Sequence, residues 1–165
     1  MGAGMLALAW LAFGGLAIYW FDGLLDDRRN PNQAVTTAVL NGVREVELKR
    51  NRSGHYIASG RINGKEVIFM LDTGATTVAI PGKLAAELNL PKGQQFQTQT
   101  ANGIATSYST RLDTVSIGGI GLRNVPAAVS PGLQMDQILL GMSFLQHIEF
   151  AQRGDTLLLR QYVDQ

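Results

Sequence analysis

The tripeptide Asp72-Thr73-Gly74 sits between two apolar runs, Val67-Ile68-Phe69-Met70-Leu71 before it and Ala75-Thr76-Thr77-Val78-Ala79-Ile80 after it. Two strand-forming runs joined by a tight Gly-containing turn place a single carboxylate at the end of a strand, with apolar chain on both sides. Charge in such a position is costly unless it has a partner or a chemical task. Any fold of this chain must therefore hold that loop in a fixed place and find a use for the acid.

The remainder of the soluble part reads as β structure. Residues 43–48 partly alternate, with Val46 and Leu48 on one face and Glu45 and Glu47 on the other. Residues 55–62 form a second strand. Asn63-Gly64 is a two-residue hairpin signal, because both residues tolerate positive φ. Residues 65–71 return as a third strand, and their apolar run predicts burial on both faces. Pro81 opens a short helix over 82–89, with Leu84 and Leu88 on one face. Residues 94–110 are rich in Gln, Thr and Ser with Asn102-Gly103 at their centre, which predicts a long, exposed and mobile hairpin. A strand pair over 112–117 and 121–129 follows, joined at Gly118-Gly119. Ile138-Leu139-Leu140-Gly141 is a short buried run, residues 142–148 contain a helical turn or two, and 148–151 and 156–161 close the chain as a hairpin. Short strands with turns every ten residues or so predict an all-β fold, a small barrel or sandwich with one or two short helices.

The N-terminus is different. Residues 1–21 carry no charged side chain, and residues 3–21 as a helix would span about 28 Å, close to the thickness of a bilayer's hydrocarbon layer. Tyr19, Trp20 and Phe21 gather at one end, where interfacial aromatics are expected. A signal peptide would want a basic start and a small-x-small cleavage site, and a buried core helix would want a polar face. A retained transmembrane anchor over 1–21 fits best, followed by a linker over 22–42 and the β domain over 43–165. The segment 34–40 reads as a short strand or an extended tether. Residues 22–29 sum to −1, two Arg against three Asp, which weakly favours the N-terminus inside and the domain outside. The expected location is a single-pass protein of the inner membrane with its domain on the periplasmic side.

Composition narrows the function. With a net charge of +1 and no large Lys/Arg cluster, there is no extended nucleic-acid footprint. The chain has no Cys, so disulfides and thiolate metal sites are excluded. His55 and His147 lack metal-ligand spacing, and neither a metal nor a cofactor is expected.

Leu71-Asp72-Thr73-Gly74-Ala75-Thr76 resembles the active-site loop of aspartic proteases of the retropepsin type. Two further features fall in the family's order: a hairpin about thirty residues later with Asn102-Gly103 at its tip, and Ile138-Leu139-Leu140-Gly141 leading into Met142-Ser143-Phe144-Leu145. The resemblance covers residues 43–161 and is closest to bacterial, membrane-anchored members. It implies a small closed acid-protease barrel with Asp72 as the catalytic residue. Thr73, Gly74 and Ala75 would support the loop, Ala101, Asn102, Gly103 and Ile104 would form a flap over substrate, and Leu139, Leu140 and Gly141 would pass beneath the loop. Aspartic proteases hydrolyse peptides with two carboxylates that share a proton across a water, one as general base and the other as general acid. Such a pair cannot both ionise cheaply, so it titrates as a unit. This chain has one Asp-Thr-Gly. Asp113 lies in a strand pattern, and Asp136 and Asp155 lack the turn. The implied enzyme is a homodimer contributing Asp72 from each copy, acting on an extended peptide, with residues 156–161 pairing between subunits. A catalytically silent peptide-binding or scaffolding module of the same fold is the alternative. A protease kept latent until it dimerises or its linker is trimmed is a third reading.

Overall fold

A computed structural model of the chain describes residues 4, 8, 10–16, 20, 28–100 and 103–162. The strands are β1 (Thr37–Leu40), β2 (Val43–Lys49), β3 (Ile57–Ile62), β4 (Lys65–Leu71), β5 (Val78–Pro81), β6 (Gln95–Thr100), β7 (Gly103–Ile117), β8 (Ile120–Ser130), β9 (Ile138–Leu140), β10 (Glu149–Arg153) and β11 (Thr156–Tyr162). Two short helices interrupt them, α1 (Gly82–Glu87) and α2 (Met142–Leu145).

The larger sheet runs β3-β4-β9-β5-β8-β7-β6, and β3 also pairs with β7. Six of these strands therefore close into a ring, and β6 hangs outside it on β7. Closure leaves no raw sheet edge around the core. The turn that helps seal it was legible: Asn63 and Gly64 have φ of 51° and 79° and join Ile62 to Lys65. Asn63 then ties the turn to β7, its N–H donating to the Thr114 carbonyl at 3.0 Å and its Oδ1 accepting from the Thr114 N–H at 3.0 Å. Inside sit Ile62, Phe69, Ile80, Leu112, Val115, Ile117, Ile120, Val129, Ile138 and Leu140, all fully buried. Phe144 and Leu145 of α2 close one side of the core.

The smaller sheet runs β1-β2-β11-β10, all antiparallel. Its inner face contributes Val46, Leu48 and Leu159 to the same core. On its outer face Arg160 lies between Glu45, at 2.7 Å, and Glu149, at 3.4 Å, and Tyr162 donates its hydroxyl to Glu149 at 2.9 Å. The hydrogen bond to Glu45 raises the Arg160 guanidinium, and the one to Glu149 raises the Tyr162 phenol.

Four expectations need correction. Strand β11 does not lie free for a partner: β2 occupies one of its edges and β10 the other. Strand β4 is not buried on both faces, since Phe69 is enclosed but Ile68 on the opposite face is 40% exposed. The linker expected over 22–42 is part of the β domain from residue 30 onward, and of the two readings of 34–40 the short strand is the one present. Asn32 Nδ2 donates to the carbonyls of Lys49 at 2.9 Å and Ile57 at 2.6 Å, its Oδ1 accepts from the Lys49 N–H at 2.7 Å, and β1 is a full member of the smaller sheet. The exposed hairpin and the following strand are not separate, because β7 runs unbroken through 15 residues.

Residues 10–16 are helical, but no helix among the described residues is long and apolar enough to cross a membrane. The other residues of the span expected over 1–21, apart from 4, 8 and 20, lie outside the described residues, as do Ala101 and Asn102 of the hairpin tip.

Candidate active site

Strand β4 ends at Leu71, and the chain turns sharply through residues 72–77 before β5 begins. The loop is held from inside itself and from below. Asp72 Oδ1 accepts from the Gly74 N–H at 2.9 Å, and the Asp72 carbonyl accepts from the Ala75 N–H at 3.2 Å. A Cβ on Gly74 would lie 3.1 Å from Asp72 Oδ1, so glycine lets the backbone approach the carboxylate. Asp72 is half-buried, Ala75 likewise, and Thr73 and Gly74 are exposed. Among the described residues, Asp72 Oδ2 and the Thr73 hydroxyl make no hydrogen bond.

Strand β9 forms the floor. It pairs parallel with β4, Leu71 opposite Leu140, and antiparallel with β5, Ala79 opposite Leu139. The Asp72 N–H donates to the Leu140 carbonyl at 3.2 Å. At Gly141 the chain passes so close beneath the loop that a Cβ would lie 2.3 Å from the Thr77 carbonyl oxygen and 2.5 Å from that of Ala75. No other residue fits there. The next two N–H groups bond upward, Met142 to the Ala75 carbonyl at 2.8 Å and Ser143 to the Thr76 carbonyl at 3.0 Å. The structure thus brings Asp72, Gly74, Ala75, Leu139, Leu140 and Gly141 into one braced unit.

Ser143 was not marked as a site residue, yet it holds three segments together. Its buried hydroxyl accepts from the Val78 N–H at 3.0 Å and donates to the Pro126 carbonyl at 2.8 Å. A serine in the first turn of a short helix carries no sequence signal of such a role.

The hairpin of β6 and β7 closes from Gln95 opposite Tyr108 to Thr100 opposite Gly103. Gly103 takes φ of 105°, a conformation favouring glycine, and Ile104 beside it is 71% exposed. The remaining acids lie elsewhere. Asp113 is exposed on β7, Asp136 is exposed at the far end of β9 from Asp72, and Asp155 pairs with Arg50. Among the described residues, no three His, Cys, Asp or Glu gather as a metal site.

Beside the loop lies a cavity of about 340 Å³, lined among others by Tyr56, Leu71, Thr73, Phe150, Gln152 and Leu157. The Tyr56 hydroxyl is buried without a hydrogen-bond partner among the described residues. The cavity links the loop to the inner face of the smaller sheet.

A family model described as "gag-polyprotein putative aspartyl protease" matches residues 58–147, more than half of the chain, from β3 through the Asp72 loop to α2. Among solved structures, a retropepsin-like aspartic protease from Rickettsia conorii superposes with a TM-score of 0.59 at 32% identity, covering 70% of this chain and 98% of that one. The chain belongs to the retropepsin-like aspartic protease family. An uncharacterized protein in the cobV 5′ region of Sinorhizobium sp is 37% identical over 134 residues, which are 79% of this chain and 58% of that protein. One from Rickettsia prowazekii (strain Madrid E) is 30% identical over 123 residues, 73% and 52% of the respective lengths. This retropepsin-like chain therefore spans a little over half the length of these two relatives.

Proposed function

We propose that the chain is an aspartic endopeptidase whose catalytic centre is assembled from two copies, each contributing Asp72. The observation that carries this reading is the state of the carboxylate. One oxygen is fixed by the Gly74 N–H, and the other is unpaired among the described residues, at the surface of a loop braced from below. A second carboxylate across a two-fold axis would complete a pair able to hold one water. One Asp72 then takes a proton from that water as it attacks the scissile carbonyl carbon, and the other gives a proton to the carbonyl oxygen. Thr73, exposed and without a hydrogen-bond partner among the described residues, would bond across the same axis. The β6–β7 hairpin, with Ala101, Asn102, Gly103 and Ile104 at its end, would close over an extended peptide and exclude water.

The same reading tethers the enzyme to a bilayer through residues 1–21, in an inner membrane with the domain outside. What supports the tether is the uncharged span itself, together with the exposure of Trp10, Leu11, Phe13 and Leu16, each at 67% or more. A core helix would bury those side chains in the protein.

The test is peptide cleavage by the full chain in detergent, comparing the parent with Asp72→Asn. The variant should keep its fold and its self-association and lose activity by roughly 10²–10⁴-fold. Equal cleavage by both proteins overturns the reading. Peptide binding with no cleavage by either moves the chain to the silent binding module.

A further inference from the structure

The end of the smaller sheet where the chain enters the barrel is basic. Lys49 on β2, Thr156 on β11 and Arg153 on β10 stand in one row across the sheet, with Thr156 facing each of the other two. Arg50 and Arg52 follow in the loop after β2, and Arg28 and Arg29 lie just ahead of the clasp at Asn32. All six basic side chains are exposed, and among the described residues Arg50 alone is in an ion pair, with Asp155. Six of the 14 Lys and Arg therefore gather at one end of a chain whose net charge is only +1.

Hydrogen bonds hold this cluster together. Asn51 Oδ1 accepts from the N–H groups of Ser53 at 3.0 Å and His55 at 2.9 Å, which fixes the loop that carries Arg50 and Arg52. Asn51 Nδ2 donates to the Arg29 carbonyl at 3.1 Å, which ties Arg28 and Arg29 to the same loop. A recess of about 560 Å³ opens there, lined by Arg50, Asn51, Arg52, Ser53, Gly54 and Asp155. The next rows on the outer face of the sheet carry the opposite sign. Glu47 comes first, and then Glu45 and Glu149 on either side of Arg160. The face is polarised along its strands, with bases at the chain-entry end and acids behind them.

We propose that this end of the domain is a docking surface for an anionic lipid bilayer. The inference rests on the tether proposed above and adds the face that meets the lipid. Only residues 22–28 separate the uncharged span from the tie at Arg29, so an anchored span keeps these bases near the membrane. Asp22, Asp26 and Asp27 lie in that stretch, and with Asp155 they make four acids against six bases. Anionic headgroups attract each Lys or Arg that comes within a Debye length, about 8 Å at physiological salt, and repel the glutamates behind them. From Val43 to Lys49 strand β2 spans about 20 Å, more than two such lengths. The polarity of the sheet thus favours one orientation, with the Lys49 end on the lipid and the turn between β1 and β2 away from it.

The test places the full chain in vesicles of neutral phosphatidylcholine, or of the same lipid mixed with anionic phosphatidylglycerol. The chain contains no Cys, so Ser53→Cys puts a single thiol in the basic loop. Its alkylation by an uncharged polyether maleimide should be slower on anionic vesicles by at least about fivefold, the weight of one Lys or Arg at such a surface. The rate should recover in molar salt, where the Debye length shrinks to about 3 Å. Leu40→Cys, at the far end of the sheet and 72% exposed, should react alike on both lipids. Adding Lys49→Glu and Arg52→Glu to Ser53→Cys should bring the two rates within about twofold of each other.

Failure of the surface and failure of the tether separate. A chain that resists alkaline extraction from the vesicles, yet reacts at residue 53 equally on both lipids, keeps the tether and overturns the surface. Protection that salt does not relieve, or that survives the two added glutamates, also overturns it. If inorganic phosphate slows the reaction on neutral vesicles as much as anionic lipid does, the recess binds free anions and the bilayer is not its partner. A chain that alkali extracts, but whose residue 53 is still protected on anionic vesicles, removes the tether and keeps the surface.

Discussion

The loop at Asp72 and the hairpin of β6 and β7 stand on opposite terms with the rest of the molecule. The loop accepts bonds from below at Ala75 and Thr76, gives one to Leu140, and rests on a glycine no other residue can replace. The hairpin is held by β7 alone on one side of β6, and five of the six residues of β6 are exposed. The first region is fixed before any ligand arrives, and the second can move at little cost to the core. In the proposed reading, this contrast would divide labour between a rigid floor that aims an acid and a cover able to open and shut.

Changes to the floor should be severe. Gly141→Val drives a side chain into the Thr77 and Ala75 carbonyls, and it should cost more than about 4 kcal/mol, enough to leave much of the protein unfolded at 25 °C. Thermal unfolding with a parent-like midpoint would show that the loop does not rest on this strand. Ser143→Ala removes both bonds of a buried hydroxyl and strands the Val78 N–H and the Pro126 carbonyl, so roughly 1–3 kcal/mol should be lost in urea titration. A loss near zero would mean that water takes the place of the hydroxyl. The cover should behave in the opposite way. Ile104→Ser, at 71% exposure, should change stability by no more than about 0.5 kcal/mol while raising KM for peptide several-fold with kcat nearly kept. A stability loss as large as that of Ser143→Ala would erase the difference between the two regions.

The floor was the more legible of the two in the sequence. Asp72-Thr73-Gly74 and Leu139-Leu140-Gly141 announce themselves by their resemblance to the family's loop and the run beneath it, with Gly141 obligatory where it meets the Thr77 and Ala75 carbonyls, and Asn63-Gly64 announces itself because positive φ is required there. Asn41-Gly42 offered the same hairpin signal, with φ of 51° and 76°, and it marks β1 as a strand instead of part of a linker. Other parts left no local trace. The order β1-β2-β11-β10 joins the two ends of the domain, and alternation within a strand says nothing about which distant strand lies beside it. Asn30 and Asn32 flank Pro31 in the segment expected as linker, yet both are buried, because their amides meet backbone groups that no period reveals. The apolar run of β4 suggested enclosure on two faces. Hydrophobicity alone does not distinguish cover from the same chain from cover by another.

The clasp formed by Asn32 sets a length. Because that side chain is locked to Lys49 and Ile57, and the Arg29 carbonyl accepts from Asn51 Nδ2 at 3.1 Å, the chain is tied to the barrel from residue 29 onward. The seven residues 22–28 could reach no more than about 25 Å even if fully extended. If residues 1–21 sit in a bilayer, the cleft is confined to a shallow zone above the lipid. Polypeptides threaded close to that surface would come within range, and sites farther out would escape whatever their sequence.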